Sequence, residues 1–268
     1  MSEVHPSAPA DAPVLLEQHG AALHIIFNRP AQANAVDLPM AQSLGALAPA
    51  IAATRARALV LRARGPAFMA GGDIGRLAGA PHEIGPILDG FHAFVRALAS
   101  CRASVVASIQ GAVAGGGLGL VLNADVLIAA ENAKFHFAYR QLGTSPDGGC
   151  SYQLPRIVGS RKAFALLMLG QPMTARQALE HGLVSQVVPA AELQASTDAV
   201  VAQLCGNAAE AAAQTRKLLQ ASGQRTLDEQ LDAERAAFLA CSASADFREG
   251  VSAFLGKRAA RFNTQEQA

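Results

Sequence analysis

Short apolar runs separated by turn residues make up most of the first half of the chain. The runs that predict strands cover residues 14–18, 22–27, 58–63, 105–109, 125–130 and 134–137. The first two flank His19-Gly20, which is typical of a β-hairpin. Apolar residues at helical spacing predict one helix from the N-cap Asp37 to Ile51 and another over residues 83–100. Strands that alternate with helices predict an α/β fold with helices packed outside the sheets.

The second half of the chain has a different pattern. After Pro155 it is almost entirely helical to Phe262, with breaks at Gly182 and Pro189. We expect residues 1–13, which are rich in Ala, Pro and Ser, to be a disordered start. Residues 14–200 should form the core, and residues 201–268 a helical C-terminal region.

Composition narrows the classes of function. With 268 residues, 51% of them hydrophobic, the chain can bury a sizeable core. A net charge of +1 offers no basic surface for nucleic acid or for a membrane. No apolar run reaches the roughly 18 residues that a membrane span needs. The four cysteines lie far apart, which argues against a zinc or other metal site and fits a reducing compartment, so we expect a cytoplasmic protein.

A glycine-rich stretch, GAVAGGGLGL at residues 111–120, stands near the middle of the chain. A β-branched run leads into it and a helical pattern follows it. Glycine lets a ligand approach the backbone, and the free N–H groups of a helix start favour negative charge, so this stretch can bind an anion or an oxyanion. It is not a dinucleotide loop, because Leu120 and Leu122 stand where the last glycine should be, and no lysine follows as in a P-loop.

Three further motifs surround this stretch in a fixed order: AFMAGGDI at 67–74, LGTSPDGG at 142–149 and MTARQALEHGLV at 173–184. Together they resemble the crotonase (enoyl-CoA hydratase/isomerase) superfamily, over nearly the whole chain from about Leu23 to Phe262. The resemblance implies a spiral of ββα units with a helical C-terminal trimerisation region. It also implies a homotrimer or a hexamer that acts on an acyl-CoA substrate.

The resemblance assigns an oxyanion hole to two backbone N–H groups, those of Gly72 and Gly116, which would hold the thioester oxygen of the acyl-CoA. Fixed donors of this kind stabilise an enolate without reorganising. Coenzyme A enters as part of the substrate, and no separate cofactor is expected. The remaining positions that the resemblance places near the substrate are Arg29, Ala70, Asp73, Ile74, Tyr139, Phe254 and Lys257.

The acid–base group departs from the hydratase pattern. The two positions at which family hydratases carry glutamates are Gly119 and Tyr139 in this chain, so neither has a carboxylate. Asp147 remains, at a position where other branches of the family place an acid. It could instead be an ordinary N-cap aspartate. We favour a catalytic Asp147 that shifts the double bond of an enoyl-CoA.

Two alternatives stay open. Asp147 could attack or activate water in an aryl-CoA dehalogenase or an acyl-CoA hydrolase. The chain could also be a non-catalytic crotonase that binds acyl-CoA or RNA, although its near-neutral charge argues against RNA. His92 lies where the dehalogenase branch carries a histidine, but we interpret it as structural. Cys150 has no histidine tied to it by a local signature and is expected to be inert.

Overall fold

The computed structural model describes residues 11–262. Its strands are β1 (Val14–His19), β2 (Ala22–Phe27), β3 (Ala58–Ala63), β4 (Ser104–Ile109), β5 (Ala112–Ala114), β6 (Val126–Ala130), β7 (Lys134–His136), β8 (Met173–Thr174) and β9 (Gln186–Val188). Its α-helices are α1 (Leu38–Ala52), α2 (Ile74–Gly79), α3 (Ile84–Ser100), α4 (Gly116–Val121), α5 (Cys150–Val158), α6 (Ser160–Leu169), α7 (Ala175–Glu180), α8 (Leu193–Gly206), α9 (Ala209–Ser222), α10 (Leu227–Ser242) and α11 (Ala245–Leu255). Short 3-10 helices occupy Pro30–Gln32, Pro81–Glu83, Ala138–Leu142 and Ala190–Glu192.

The strands form two sheets. The larger has the order β1-β2-β3-β4-β6-β9, in which β1 and β2 are antiparallel and every later pair is parallel. The smaller has the order β5-β7-β8. The chain runs from β4 of the large sheet into β5 of the small sheet and then into α4, and it repeats this path with β6, β7 and α5. The fold is therefore α/β, and the carboxyl ends of the parallel strands β3 and β4 meet at one edge.

Residues alternate between the two faces of the large sheet, as the pleat of a strand requires. On β3, Leu59 and Leu61 join the main core beneath α1 and α3, whereas Val60 joins a second cluster beneath α8. Ser108 of β4 faces α8, and its hydroxyl is 2.9 Å from that of the buried Thr197. Both faces of the sheet are thus covered, which explains why its strands are almost continuously apolar.

The longer elements match the sequence prediction. Asp37 caps α1, since its Oδ1 accepts the Met40 N–H at 3.0 Å, and α3 begins at Ile84. The expectation that the chain is almost entirely helical after Pro155 is wrong at β8 and at β9, which pairs with β6 at the edge of the large sheet. The helix α2 and the strand β5 were not predicted either. Elements of two to six residues are too short to show a period, and their tertiary partners decide them.

The two ends of the chain lie only partly within the described residues. Most of the expected disordered start at 1–13 lies outside the described residues. The carbonyls of Ala12 and Pro13 accept hydrogen bonds from Asn28, at 2.9 and 2.8 Å. The described part of the C-terminal region is helical, from α8 through α11. No helix within residues 11–262 is both long enough and apolar enough to cross a bilayer.

A buried histidine lies on the hairpin at the edge of the large sheet. His24 is 3% exposed, and the ring of His19 stacks on it with centroids 4.3 Å apart. Burial lowers the pKa of His24 to about 4, and the nearby His19 and Arg62 add to the effect. Two acids, Asp198 on α8 and Glu17 on β1, raise the pKa of His24, but their effect is smaller than that of burial.

We expect the free energy of unfolding to decrease as the pH falls from about 6.5 to about 4. In this window the unfolded chain binds a proton at His24 and the folded chain does not, so the folded state loses up to about 3 kcal/mol. Urea unfolding at pH 7 and pH 4.5 measures the difference. His24→Gln should remove this part of the pH dependence, while His82→Gln, at an exposed position, should keep it. Equal pH dependence in wild type and His24→Gln would contradict this assignment.

Candidate active site

The loop after β3 is the first part of the site. The buried side chain of Asn34 ties it down, since Nδ2 donates to the carbonyls of Arg64 and Ala67 at 3.0 and 2.9 Å. Further along the loop, the Val36 N–H donates to Gly71 O at 2.7 Å, and the Asp73 N–H donates to Val36 O at 3.0 Å. This is a parallel bridge, so Gly72 points its own N–H away from Val36.

The central glycine stretch is the second part. It makes the strand β5 and then starts α4 through Gly115, whose φ of 49° and ψ of −124° suit glycine alone. The Gly116 N–H belongs to the first turn of α4 and has no intrahelical acceptor. Among residues 11–262, neither this N–H nor that of Gly72 donates to a protein group.

The two loops touch each other directly. A Cβ on Gly71, whose φ is 88°, would lie 3.0 Å from the Ala114 carbonyl oxygen and 3.4 Å from Gly115 Cα. Only a residue without a side chain permits this approach. The glycines at 71 and 115 therefore bring the free N–H groups of their neighbours, Gly72 and Gly116, to the same edge of the sheet.

A cavity of about 70 Å³ opens where the loops meet. Gly72, Gly116 and Asp147 line it together. The rest of the lining is Val36, Gly71, Leu77, Ile84, Ile87, Leu88 and Phe91. The site thus combines two free backbone donors and one carboxylate within apolar walls. A larger cleft of about 860 Å³, between the amino end of β3 and helices α9 and α11, shares no lining residue with it.

Asp147 lies in a turn just before α5. The residue that caps α5 is Gly149, with no side-chain hydrogen bond to the cap, so Asp147 is not the N-cap that its sequence position also allowed. Its Oδ1 is buried without a hydrogen-bond partner. Its Oδ2 lies 3.5 Å from the place where a Cβ on Gly116 would stand. Burial raises the pKa of this carboxyl, which suits a group that must accept and return a proton.

Tyr139 belongs to the 3-10 helix Ala138–Leu142 and lies near the Asp147 carboxylate. Its hydroxyl is buried and, like Asp147 Oδ1, makes no hydrogen bond of normal geometry. The two groups are near enough for Tyr139 to oppose the rise in the pKa of Asp147. Burial raises the pKa of Tyr139 far above its ordinary value, and the charge of Asp147 adds to this. Tyr139 is therefore a neutral hydrogen-bond donor and no substitute for a glutamate.

His92 on α3 approaches the same turn. The Gly148 N–H donates to its Nε2 at 3.4 Å. The structural role expected for His92 stays a prediction. The neighbouring Cys150 is buried, and burial raises the pKa of its thiol to about 12, so the thiol stays protonated near neutral pH.

The residues expected to contact coenzyme A are not gathered at the cavity. Ala70 and Ile74 are exposed on the loop that carries Gly72. Phe254, 83% exposed, and Lys257 lie at the end of α11 and do not line the cavity. Their contact with coenzyme A stays a prediction.

Arg29 and Asp73 lie beside the loop but face inward. Arg29 Nη2 is 2.8 Å from Asp37 Oδ2 and 4.0 Å from Asp73 Oδ2. The Arg29 charge is therefore matched by two acids, and in this structure it holds the loop against α1. The phosphate contact predicted for Arg29 would have to compete with these ion pairs.

Sequence reasoning missed two buried asparagines, Asn34 and Asn123. Asn34 adopts a left-handed φ of 55°, which asparagine tolerates well. Asn123 bridges α4 and the Asp147 turn. An asparagine at a helix end or in a loop was the only available signal, and it does not reveal a distant partner. Within residues 11–262, no group of three or more His, Cys, Asp or Glu side chains could hold a metal ion.

The sequence matches the enoyl-CoA hydratase/isomerase family over residues 17–265. It is 36% identical over 239 residues to a Rhodobacter capsulatus protein named "probable enoyl-CoA hydratase". The matched region covers 89% of this chain and 93% of that relative. It is also 36% identical over 211 residues to 1,2-epoxyphenylacetyl-CoA isomerase of Escherichia coli, covering 77% of this chain and 80% of the relative.

Solved structures show the same likeness in three dimensions. The crystal structure of an enoyl-CoA hydratase from Polaromonas superposes with a TM-score of 0.87 at 29% sequence identity. The superposition covers 93% of this chain and 99% of that one.

Proposed function

The chain belongs to the enoyl-CoA hydratase/isomerase family, and from that premise we propose that it shifts the double bond of an enoyl-CoA with Asp147 as its single acid–base group. The observation that carries the proposal is the cavity in which Gly72, Gly116 and Asp147 meet. The coenzyme A belongs to the substrate, and the chemistry requires no separate cofactor.

The proposed reaction begins with the thioester oxygen between the N–H groups of Gly72 and Gly116. The Asp147 carboxylate takes a proton from carbon 2 of a 3-enoyl-CoA, and the electron pair passes into a dienolate. Each of the two N–H groups can lower the barrier by about 3 kcal/mol, because the developing negative charge lies on the oxygen that they face. Asp147 then returns the proton to carbon 4, which leaves the double bond between carbons 2 and 3.

Two features support isomerisation over hydration. Gly119 and Tyr139 occupy the two positions at which family hydratases carry glutamates, so neither position supplies a carboxylate to activate water. The walls of the cavity are apolar apart from Asp147 and the glycine backbones. The relative from Escherichia coli is named as an isomerase, although the Rhodobacter and Polaromonas proteins are named as hydratases.

Incubation in deuterated water tests the proposal directly. Wild-type protein is given a 3-enoyl-CoA or crotonyl-CoA, and the products are followed by NMR and mass spectrometry. We expect double-bond migration in the 3-enoyl substrate with deuterium entry at carbon 4, and no 3-hydroxyacyl-CoA from crotonyl-CoA. Water addition to crotonyl-CoA as the main reaction would overturn the proposal.

The hydrolytic alternative is favoured by one contact, the approach of His92 to the Asp147 turn. It predicts a covalent acyl or aryl adduct on Asp147 that intact-protein mass spectrometry would detect. In the structure, His92 Nε2 accepts a backbone N–H, and this holds the ring in place instead of directing it toward water. Binding of coenzyme A thioesters with no turnover of any substrate would favour the non-catalytic alternative.

We extend the proposal to a homotrimer or a hexamer. Large apolar side chains stay exposed on the C-terminal helices of the single chain, including Phe238 (66%), Phe254 (83%) and Leu255 (76%). Single exposed apolar residues are common on protein surfaces, but Phe254 and Leu255 share an apolar groove with Phe247 and Val251, and a contiguous apolar patch is typical of an interface. Light scattering coupled to gel filtration measures the state, and Phe254→Asp should shift it toward the monomer.

A further inference from the structure

The turn that carries Asp147 packs directly against the backbone of α4 at Gly119, which has no side chain. We propose that Gly119 and Asn123 are positioning residues that fix this turn, and thereby the place of the Asp147 carboxylate beside the Gly116 N–H. We call the contacts of Gly119 and Asn123 with this turn the mount. The catalytic effect of the mount rests on the proposed function, but its geometry is given by the contacts described below.

Gly119 is the residue of α4 against which the turn packs. A Cβ added to it would lie 2.6 Å from the Asp147 carbonyl oxygen and 2.8 Å from that of Gly148. Both are backbone atoms, which cannot move without moving the turn. Gly148 packs against Gly119 from the turn. A Cβ added to Gly148 would lie 2.9 Å from the Phe91 ring and 3.5 Å from Gly119 Cα, so Gly148 has no room for a side chain either. No side chain at 119 is compatible with the observed place of Asp147.

Asn123 links the turn to α4 and α5 through side-chain hydrogen bonds, and we call this link the clamp. The Asn123 N–H donates to Leu120 O at 3.1 Å, in a 3-10 turn that ends α4, so the Gly119 carbonyl lacks its usual donor four residues on. The Asn123 side chain supplies it, because Nδ2 donates to Gly119 O at 2.8 Å and to Gly148 O at 3.2 Å. Its Oδ1 accepts from Gln153 Nε2 on α5 at 3.0 Å. One buried amide therefore joins α4, the turn and α5.

These contacts hold the backbone of the turn and do not involve the Asp147 carboxylate. Gly148 N–H is held by His92, Gly148 O by Asn123, and the face of the turn by Gly119. Asp147 Oδ1, in contrast, has no hydrogen-bond partner. A base that moves a proton between two carbons needs this combination of a fixed position and a free oxygen.

Gly119→Ala gives the sharpest test, because helix propensity alone predicts that it stabilises α4. We expect kcat for 3-enoyl-CoA isomerisation to fall at least about 100-fold with KM within about threefold, since small displacements of a catalytic group have effects of this size. Val106→Ala is the matched control for destabilisation, because Val106 is fully buried in the cluster beneath α8. It should lower the melting temperature and leave kcat nearly unchanged.

Asn123→Leu tests the clamp with a side chain of similar size that cannot donate. The readout is the carboxyl pKa of Asp147, followed by NMR in aspartate-labelled protein and assigned with Asp147→Asn. Burial raises this pKa in the wild type, so a displaced turn should bring it down toward the ordinary value in both Asn123→Leu and Gly119→Ala. The acidic limb of the pH profile of kcat should move to lower pH with it.

The outcomes separate this inference from the proposed function. If the wild type does not isomerise 3-enoyl-CoA, the proposed function fails, and the NMR titration still decides whether Gly119 and Asn123 hold the carboxylate. If both variants keep the wild-type carboxyl pKa and keep kcat within about threefold, the mount is overturned. A loss of kcat no larger than that of Val106→Ala would overturn it as well.

Discussion

Asp147→Asn is expected to lower kcat for 3-enoyl-CoA isomerisation by about 1,000-fold or more. The substitution keeps the size of the side chain and removes the only carboxylate that lines the cavity. General acid–base catalysis typically contributes about 100- to 10,000-fold, and the full contribution is lost here because no other residue of the lining can accept a proton. The backbone N–H groups of Gly72 and Gly116 are unaffected, so a saturated thioester such as butyryl-CoA should bind as it does to the wild type.

The control for this variant is Asp89→Asn, which removes an exposed acid from α3 and should leave kcat unchanged. The pH profile of the wild type provides a second check. Burial raises the pKa of Asp147, so the base is protonated, and activity lost, at a higher pH than for an exposed aspartate. An Asp147→Asn enzyme that still isomerises within tenfold of the wild type would show that the base lies elsewhere.

Arg216→Leu is expected to lower the free energy of unfolding by about 3–5 kcal/mol. Arg216 is 6% exposed, and its Nε is 2.7 Å from Asp125 Oδ2. Its remaining donors bind the carbonyls of Leu98, Ala99 and Cys101 at 2.8, 3.0 and 2.7 Å. These carbonyls belong to the C-terminal end of α3, where a cation is also favoured by the helix dipole. Removing the guanidinium leaves three carbonyls without their donor and leaves Asp125 Oδ2 with only the Val105 N–H, at 2.7 Å.

Chemical unfolding monitored by circular dichroism measures this loss. Lys217→Leu changes the next residue of α9, which is exposed, and should alter stability by no more than about 0.5 kcal/mol. Arg216 of α9 binds carbonyls at residues 98–101, about two turns beyond Phe91 along α3, so folded Arg216→Leu protein should keep its kcat. A loss below about 1 kcal/mol would mean that water replaces the guanidinium at the end of the helix.

The candidate site was largely predictable because its key groups are encoded locally. Gly72 and Gly116 lie in short motifs whose glycines determine the backbone directly, and Asp147 precedes two glycines that adopt left-handed φ values of 59° and 83°. The order of strands and helices then brings the ends of β3 and β4 to one edge. Whether two loops meet there follows from topology, and the topology follows from the alternation of elements along the chain.

The sequence by itself determined the α/β class and the family and predicted the three groups of the candidate site, since these depend on periodicity, turn chemistry and local motifs. Only the tertiary structure showed that Arg29 is paired with Asp37, that Asp147 does not cap α5, and that Asn34, Asn123 and Arg216 hold the site and α3 in place. The physical reason is sequence separation. Asn123 binds a carbonyl 25 residues away, Asn34 one 33 residues away and Arg216 one 118 residues away. No local pattern encodes a hydrogen bond between segments that become neighbours only when the core packs.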